Sequence, residues 1–445
     1  MFEFTFLLII TGTITAFAVS RLATDRFLHP SDLAIVSTVY YSVPLAIAGF
    51  LSYNPRGLIF LHTYAADAAL AIQSLRFVVL AIIMISCGTF ASRQVKKSKA
   101  TYYFVIDRQS PARANAGYAI LLSIFALGLY LFGISAFLEG YASEVYGDTA
   151  TLGNVLIYFT TGAFGAVFAY VLLIGKASNL RSTVFLSLIS LMVLLFTILV
   201  RAKRLEIVSA LLPALIVLLS QRKSIKLTTT RIIVVLSALV ALTAIAAIRI
   251  GDEFDSFTIA YYIFSEGLYA GHSLPGILGH LETGMLSFEN GARFLNSLLG
   301  FIPRFLWEGK DDLVYAGDFV LKSVSPLGAT NLLAEVVLQG GIIAVAFTYF
   351  IMGFTFDRLT KFEAVWDRGI ATGRLPARFI GYLIAIAIFI PHFRDGIVPA
   401  VKISLQMGVV FVLLVGVNSM KKNKAAGIEP KILRANKDMI DGSKI

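Results

Sequence analysis

The chain has 445 residues, 57% of them hydrophobic and only 15% charged, with a mean hydropathy of +0.80. A soluble fold carries about 25% charge, and here the apolar residues come in blocks of the roughly 20 that one bilayer crossing needs, which excludes a water-soluble enzyme. The formal charge of +11 does not imply nucleic acid as a partner, because the excess lies in short loops between apolar blocks, where basic residues set topology.

The pattern predicts an all-α, polytopic integral membrane protein: a single membrane domain over residues 1–445, with a lipid bilayer as its surroundings. About eleven transmembrane helices are expected, near 2–20, 33–51, 75–91, 117–137, 153–175, 183–200, 205–220, 231–250, 332–356, 378–393 and 397–418. The first block contains an Ala16-Phe17-Ala18 run similar to a signal cleavage site. It opens on Glu3 with no Lys or Arg before it, so an uncleaved first helix is expected. Cys87, the one cysteine, lies inside an apolar block, which excludes a disulfide framework. The histidines at 29, 62, 272, 280 and 392 show no zinc spacing, so neither metal nor cofactor is expected.

Loop charge predicts orientation. The loop after Ala91 carries Arg93, Lys96, Lys97, Lys99, Arg108 and Arg113 against Asp107, and is expected to be cytoplasmic. The loop with Glu139, Glu144 and Asp148 has no cation and is expected outside. Arg201, Lys203 and Arg204 break the pattern, since parity places them outside. On a helix Arg201 and Arg204 share a face, while Lys203 and Glu206 share another and can neutralise each other. Charges held at a membrane edge against the bias are functional candidates, with snorkelling to headgroups as the plain alternative. Arg222, Lys223, Lys226 and Arg231 return to the cytoplasmic side.

Residues 251–331 are expected to form one long external loop. Up to Thr330 it holds ten acidic residues against Arg293, Arg304, Lys310 and Lys322. It is rich in aromatics, unlike a disordered segment, and Ser256–Tyr269 is amphipathic enough to lie in the interface. Its Gly300–Lys310 run sets Arg304 and Lys310 beside Pro303 and Trp307. Glu335 lies one turn inside the next helix, where Gly340-Gly341 allows close helix packing. Arg358, Lys361, Arg368, Arg374 and Arg378 then mark a cytoplasmic loop. His392, Arg394 and Asp395 form an external turn, and Lys402 lies where it would share a face with Asp395. A cytoplasmic tail, 419–445, carries Lys421, Lys422 and Lys424, so the N-terminus is periplasmic and the C-terminus cytoplasmic. Arginines from separate regions thus gather on the outer face: Arg201 and Arg204, Arg293 and Arg304, and Arg394. Such groups recognise phosphate bidentately, and at bilayer level a lipid diphosphate fits them.

The Phe301-Ile302-Pro303-Arg304-Phe305-Leu306-Trp307-Glu308-Gly309-Lys310 run resembles the Ile-Pro-Arg-x-Leu-Trp-x-x-Lys-Pro pattern of Wzy-type oligosaccharide repeat-unit polymerases, with Asp311 in place of the usual proline. Gly328, Glu335, Gly340-Gly341 and Gly353 resemble that family's Gly…Glu…Gly…Gly pattern. Arg201 or Arg204 resembles the arginine hairpin that these polymerases share with O-antigen ligases, and Arg394-Asp395-Gly396 resembles an external turn before the last helix. The detailed resemblance covers roughly residues 290–356.

What the resemblance implies is a bacterial inner-membrane glycosyltransferase of the C-like type, making O-antigen, capsule or exopolysaccharide. It would transfer a growing glycan from undecaprenyl diphosphate to the non-reducing end of a lipid-linked repeat unit. A chain-length regulator and a flippase are the implied partners. Catalytic roles fall to Arg304, Glu335 and His392, and substrate binding to Arg201, Arg204, Arg293, Lys310, Arg394 and Trp307. The alternatives are an O-antigen ligase and a flippase or transporter of lipid-linked oligosaccharide.

Overall fold

The computed structural model describes residues 1–25, 27–51, 67–95, 101–105, 110–138, 152–174, 181–201, 204–220, 267–300, 302, 306–307, 309–310, 313, 324, 330–415 and 420–423. Among them, seven helices are long and apolar enough to cross a membrane: Phe2–Thr24, Pro30–Phe50, Ala68–Gln94, Pro111–Phe132, Leu152–Ile174, Leu332–Asp367 and Ile397–Val415. The chain is therefore a multi-pass, all-α membrane protein. The helices Arg181–Arg201 and Arg204–Ser220 lie on the expected arginine hairpin. The expected span at 231–250 lies outside the described residues.

Local chemistry explains where the central helices begin. Asp67 caps Ala68–Gln94, its carboxylate accepting from the backbone N–H of Ala69 at 2.7 Å and of Leu70 at 3.3 Å. Asn331 caps Leu332–Thr360, its Oδ1 accepting from Leu333 N–H at 2.9 Å. These two helices pack together, and their crossing is glycine on both sides. A Cβ at Gly88 would run into the backbone of Phe350, and one at Gly353 into that of Ile85. Small residues at such a crossing let the backbones approach, as in membrane helix pairs generally. Large apolar side chains cover the outward faces, including Phe6, Phe17, Met192, Ile343, Phe347 and Leu413.

Part of the long loop runs inside the bundle rather than along its surface. The helix Ser273–Glu282 is buried from Ser273 to Gly279 and packs on Ala68–Gln94 and Leu332–Thr360. Ten residues are too few to cross a bilayer, so this helix is buried among the long helices without being a span itself. Periodicity gave no sign of it, because Gly, Pro and His dilute its apolar face. The interfacial helix expected at 256–269 lies outside the described residues except for 267–269.

At the far end of the bundle three distant segments form one antiparallel sheet in the order β2-β1-β3. These strands are β1 (Thr101–Val105), β2 (Arg374–Pro376) and β3 (Met420–Asn423). Tyr103 stands opposite Pro376 on one side and Lys421 on the other. The three segments that loop charge assigned to a common face thus meet at the same end. Beside them Lys361 donates to Ser92 O at 2.8 Å, and Arg93 pairs with Asp357 at 3.2 Å.

Candidate functional site

At the opposite end, three helices are interrupted close together. The first is broken between Pro30–Tyr40 and Val43–Phe50. There Asn331 Nδ2 donates to Tyr41 O at 2.9 Å and to Ser42 Oγ at 2.6 Å. The second is Leu332–Thr360, interrupted at Gly340–Gly341, where Gly341 takes a left-handed φ of +58°. The break frees the Leu338 carbonyl, which accepts from the Glu289 N–H of the long loop at 3.0 Å. The glycine pair therefore interrupts the helix, a correction to the expected close packing, which falls instead to Gly353. The third runs as α-helix over Arg378–Ile384, as a single π turn over Ala385–Phe389, and as a 3-10 turn over Pro391–Arg394. Interrupted backbone at membrane depth persists only where protein or a polar cavity satisfies it, and π turns cluster at functional sites.

Glu335 meets the end of the third interruption. It lies one turn into its helix and is only 3% exposed. Its Oε2 accepts from Ile397 N–H at 2.5 Å, at the start of the helix Ile397–Val415. Its Oε1 faces Arg293 Nη1 at 3.6 Å. Gly396, with φ +88°, lies directly over the carboxylate: a Cβ there would sit 2.5 Å from both oxygens. Arg293 is equally buried and is gripped by Glu289, which accepts from Nε and from Nη2 at 3.1 Å each. Gln339 completes the group: its Nε2 donates to Glu289 at 2.7 Å, and its Oε1 accepts from Arg293 N–H at 3.3 Å. Among the described residues, two carboxylates, Glu289 and Glu335, face the Arg293 guanidinium. A buried carboxylate needs such partners, since an unpaired one is costly away from water.

His392 is buried on the same turn, and its Nδ1 bonds to Ile388 O at 2.7 Å. A carbonyl only accepts, so Nδ1 carries a proton, and Nε2 can accept only in the neutral ring. Arg394 pairs with its neighbour Asp395 at 3.9 Å. Lys310 is buried and donates to Ile302 O at 2.9 Å, closing the Gly300–Lys310 run on itself, while Trp307 is exposed. Arg201 ends one helix and Arg204 starts the next, and the latter helix packs on the Pro391–Arg394 turn. The side chains of these two arginines and the whole of Arg304 lie outside the described residues. Among the described residues no His, Cys, Asp and Glu are grouped to hold a metal ion.

The structure thus joins Arg293, Glu335, His392 and Arg394 at one end. It adds Glu289, Gln339 and Gly396, which sequence reasoning did not single out as site residues. One spacing carried a signal: Gln339 is four residues after Glu335 on one helix, the interval that shares a helical face; Glu289 lies before the helix Ala292–Ser297 and had none. Comparison with protein-family models, curated proteins and solved structures found no match to this chain.

Proposed function

We propose that the chain is a polysaccharide polymerase of the Wzy type. It would transfer a growing glycan from undecaprenyl diphosphate to the non-reducing end of a lipid-linked repeat unit at the outer face of a bacterial inner membrane. In that orientation the N-terminus is periplasmic and the sheet end cytoplasmic. One observation supports this reading: Glu335, a residue of the motif, meets Arg293 of the outer loop and the Gly396-Ile397 backbone that follows Arg394-Asp395, three segments far apart in sequence. Arg293 lies eleven residues before the motif arginine, Arg304, in the same loop.

The residues divide by charge. Arg293 is offset by two carboxylates, so neutralising the departing diphosphate falls to Arg201, Arg204 and Arg304, with Arg394 and Lys310 positioning it. Cations fixed where charge develops are usually the largest catalytic contribution. The acceptor hydroxyl attacks the anomeric carbon and loses its proton, while the bond from that carbon to the phosphate oxygen breaks and the lipid diphosphate leaves. Of the two candidate bases, Glu335 and His392, the imidazole in its neutral form would offer Nε2 as acceptor. Trp307 supplies an exposed aromatic face for a sugar ring. The reading needs no cofactor.

Arg304→Ala tests it in cells. The expected result is loss of long-chain polymer with the protein still inserted at normal abundance; unchanged chain lengths would contradict it. A flippase for the same lipid-linked glycan is the second reading. The interrupted helices favour it, since transporters build their sites on discontinuous helices.

A further inference from the structure

Glu335 has the environment of a fixing point rather than of a proton acceptor. A base must reach the hydroxyl it deprotonates. One oxygen of this carboxylate is bonded to the first N–H of the helix Ile397–Val415, the other faces Arg293, and the Gly396 backbone covers it. A carboxylate at a helix N-terminus satisfies an otherwise open donor and complements the helix dipole. Here the carboxylate comes from a different helix, so the same contact fastens two elements together. Arg293 fastens a third, because its helix Ala292–Ser297 packs on Ile397–Val415.

We propose that Glu335 is a positioning residue. With Arg293 as counter-ion, it pins the Pro391–Gly396 turn and the outer-loop helix to the first half of the broken helix, and so sets where His392 points. Its consequence for activity rests on the glycosyl-transfer reading; the pin itself does not.

Glu335→Gln and Glu335→Ala separate the roles. Gln keeps an oxygen for Ile397 N–H, and Arg293 keeps its two bonds to Glu289. Ala removes the acceptor altogether. In the full-length protein in nanodiscs, two quantities are measured: hydrogen exchange of the peptide containing Ile397, and polymer formation from lipid-linked repeat units. The Gln variant is expected to keep its protection and stay within about 10-fold of the wild-type rate. The Ala variant is expected to lose protection at Ile397 and at least about 100-fold in rate, the scale of loss that misplacing a reacting group by about 1 Å produces. A Gln variant as inactive as Ala with protection intact would make Glu335 the base and overturn the proposal. So would an Ala variant with unchanged protection. If the Ala variant does not accumulate, Glu335→Asp and Arg293→Met take its place: faster exchange at Ile397 supports the pin, and unchanged exchange overturns it. A wild-type protein that makes no polymer would defeat the functional reading alone, and the exchange measurement would still decide the pin.

Discussion

Gly396 and Glu335 constrain each other, because the Gly396 backbone lies against the Glu335 carboxylate. A left-handed φ costs an L-residue roughly 1–2 kcal/mol, and any side chain at 396 would also meet the Glu335 carboxylate. Gly396→Ala is therefore expected to lower the thermal midpoint of the purified protein and to release protection at Ile397; an unchanged midpoint would contradict the contact. A second residue-level prediction concerns His29, between the first two helices. Burial, then the nearby Arg21, lowers its pKa from the ordinary 6.5. The unfolded chain binds this proton more tightly, so the stability this histidine contributes is complete above pH 6.5 and falls as pH drops below it. From pH 7.5 to 5.5 the wild-type thermal midpoint should fall relative to that of His29→Asn; a difference that does not change with pH would contradict the burial of a neutral His29. Arg293 was legible in the sequence as a cation in an acidic loop, but its neutralisation by Glu289 and Glu335 depends on a fold that brings residues 289, 293 and 335 together.

The long helices were legible because hydropathy averaged over a window is largest where lipid and core surround the chain. The same averaging hides the interruptions at 41–42, 340–341 and 385–396, since a break of two residues barely alters the mean. Those breaks depend on partners elsewhere: Asn331 for Tyr41, Glu289 for Leu338, Glu335 for Ile397. Asn331 serves two helices at once, as cap of one and donor to the break in another. Asn331→Ala should therefore cost more than the about 1 kcal/mol of an isolated cap, because the half-buried Tyr41 carbonyl and the buried Ser42 hydroxyl also lose this donor. A denaturation midpoint no lower than that of a control cap variant, Asp67→Ala, would contradict the double role. Gly341→Ala should close the break toward regular helix and loosen the loop at Glu289, read as faster exchange across residues 286–292.

At the scale of the molecule, the sheet and the Glu335 group lie at opposite ends of Leu332–Thr360. Cysteine labelling on a Cys87→Ser background tests the orientation. Met285→Cys should react with an impermeant maleimide from outside intact cells, and Thr372→Cys only after permeabilisation; the reverse pattern would invert the topology. The charge bias of the loops made the shared side of β1, β2 and β3 readable in advance, but the sheet itself was not, because its strands are three to five residues long and pair across hundreds of positions. The most direct measurement is reconstitution of the purified full-length protein in liposomes with undecaprenyl-diphosphate-linked repeat units as sole substrate. The account predicts a ladder of products growing by one repeat unit and released undecaprenyl diphosphate. Translocation of the substrate without any new glycosidic bond would contradict it.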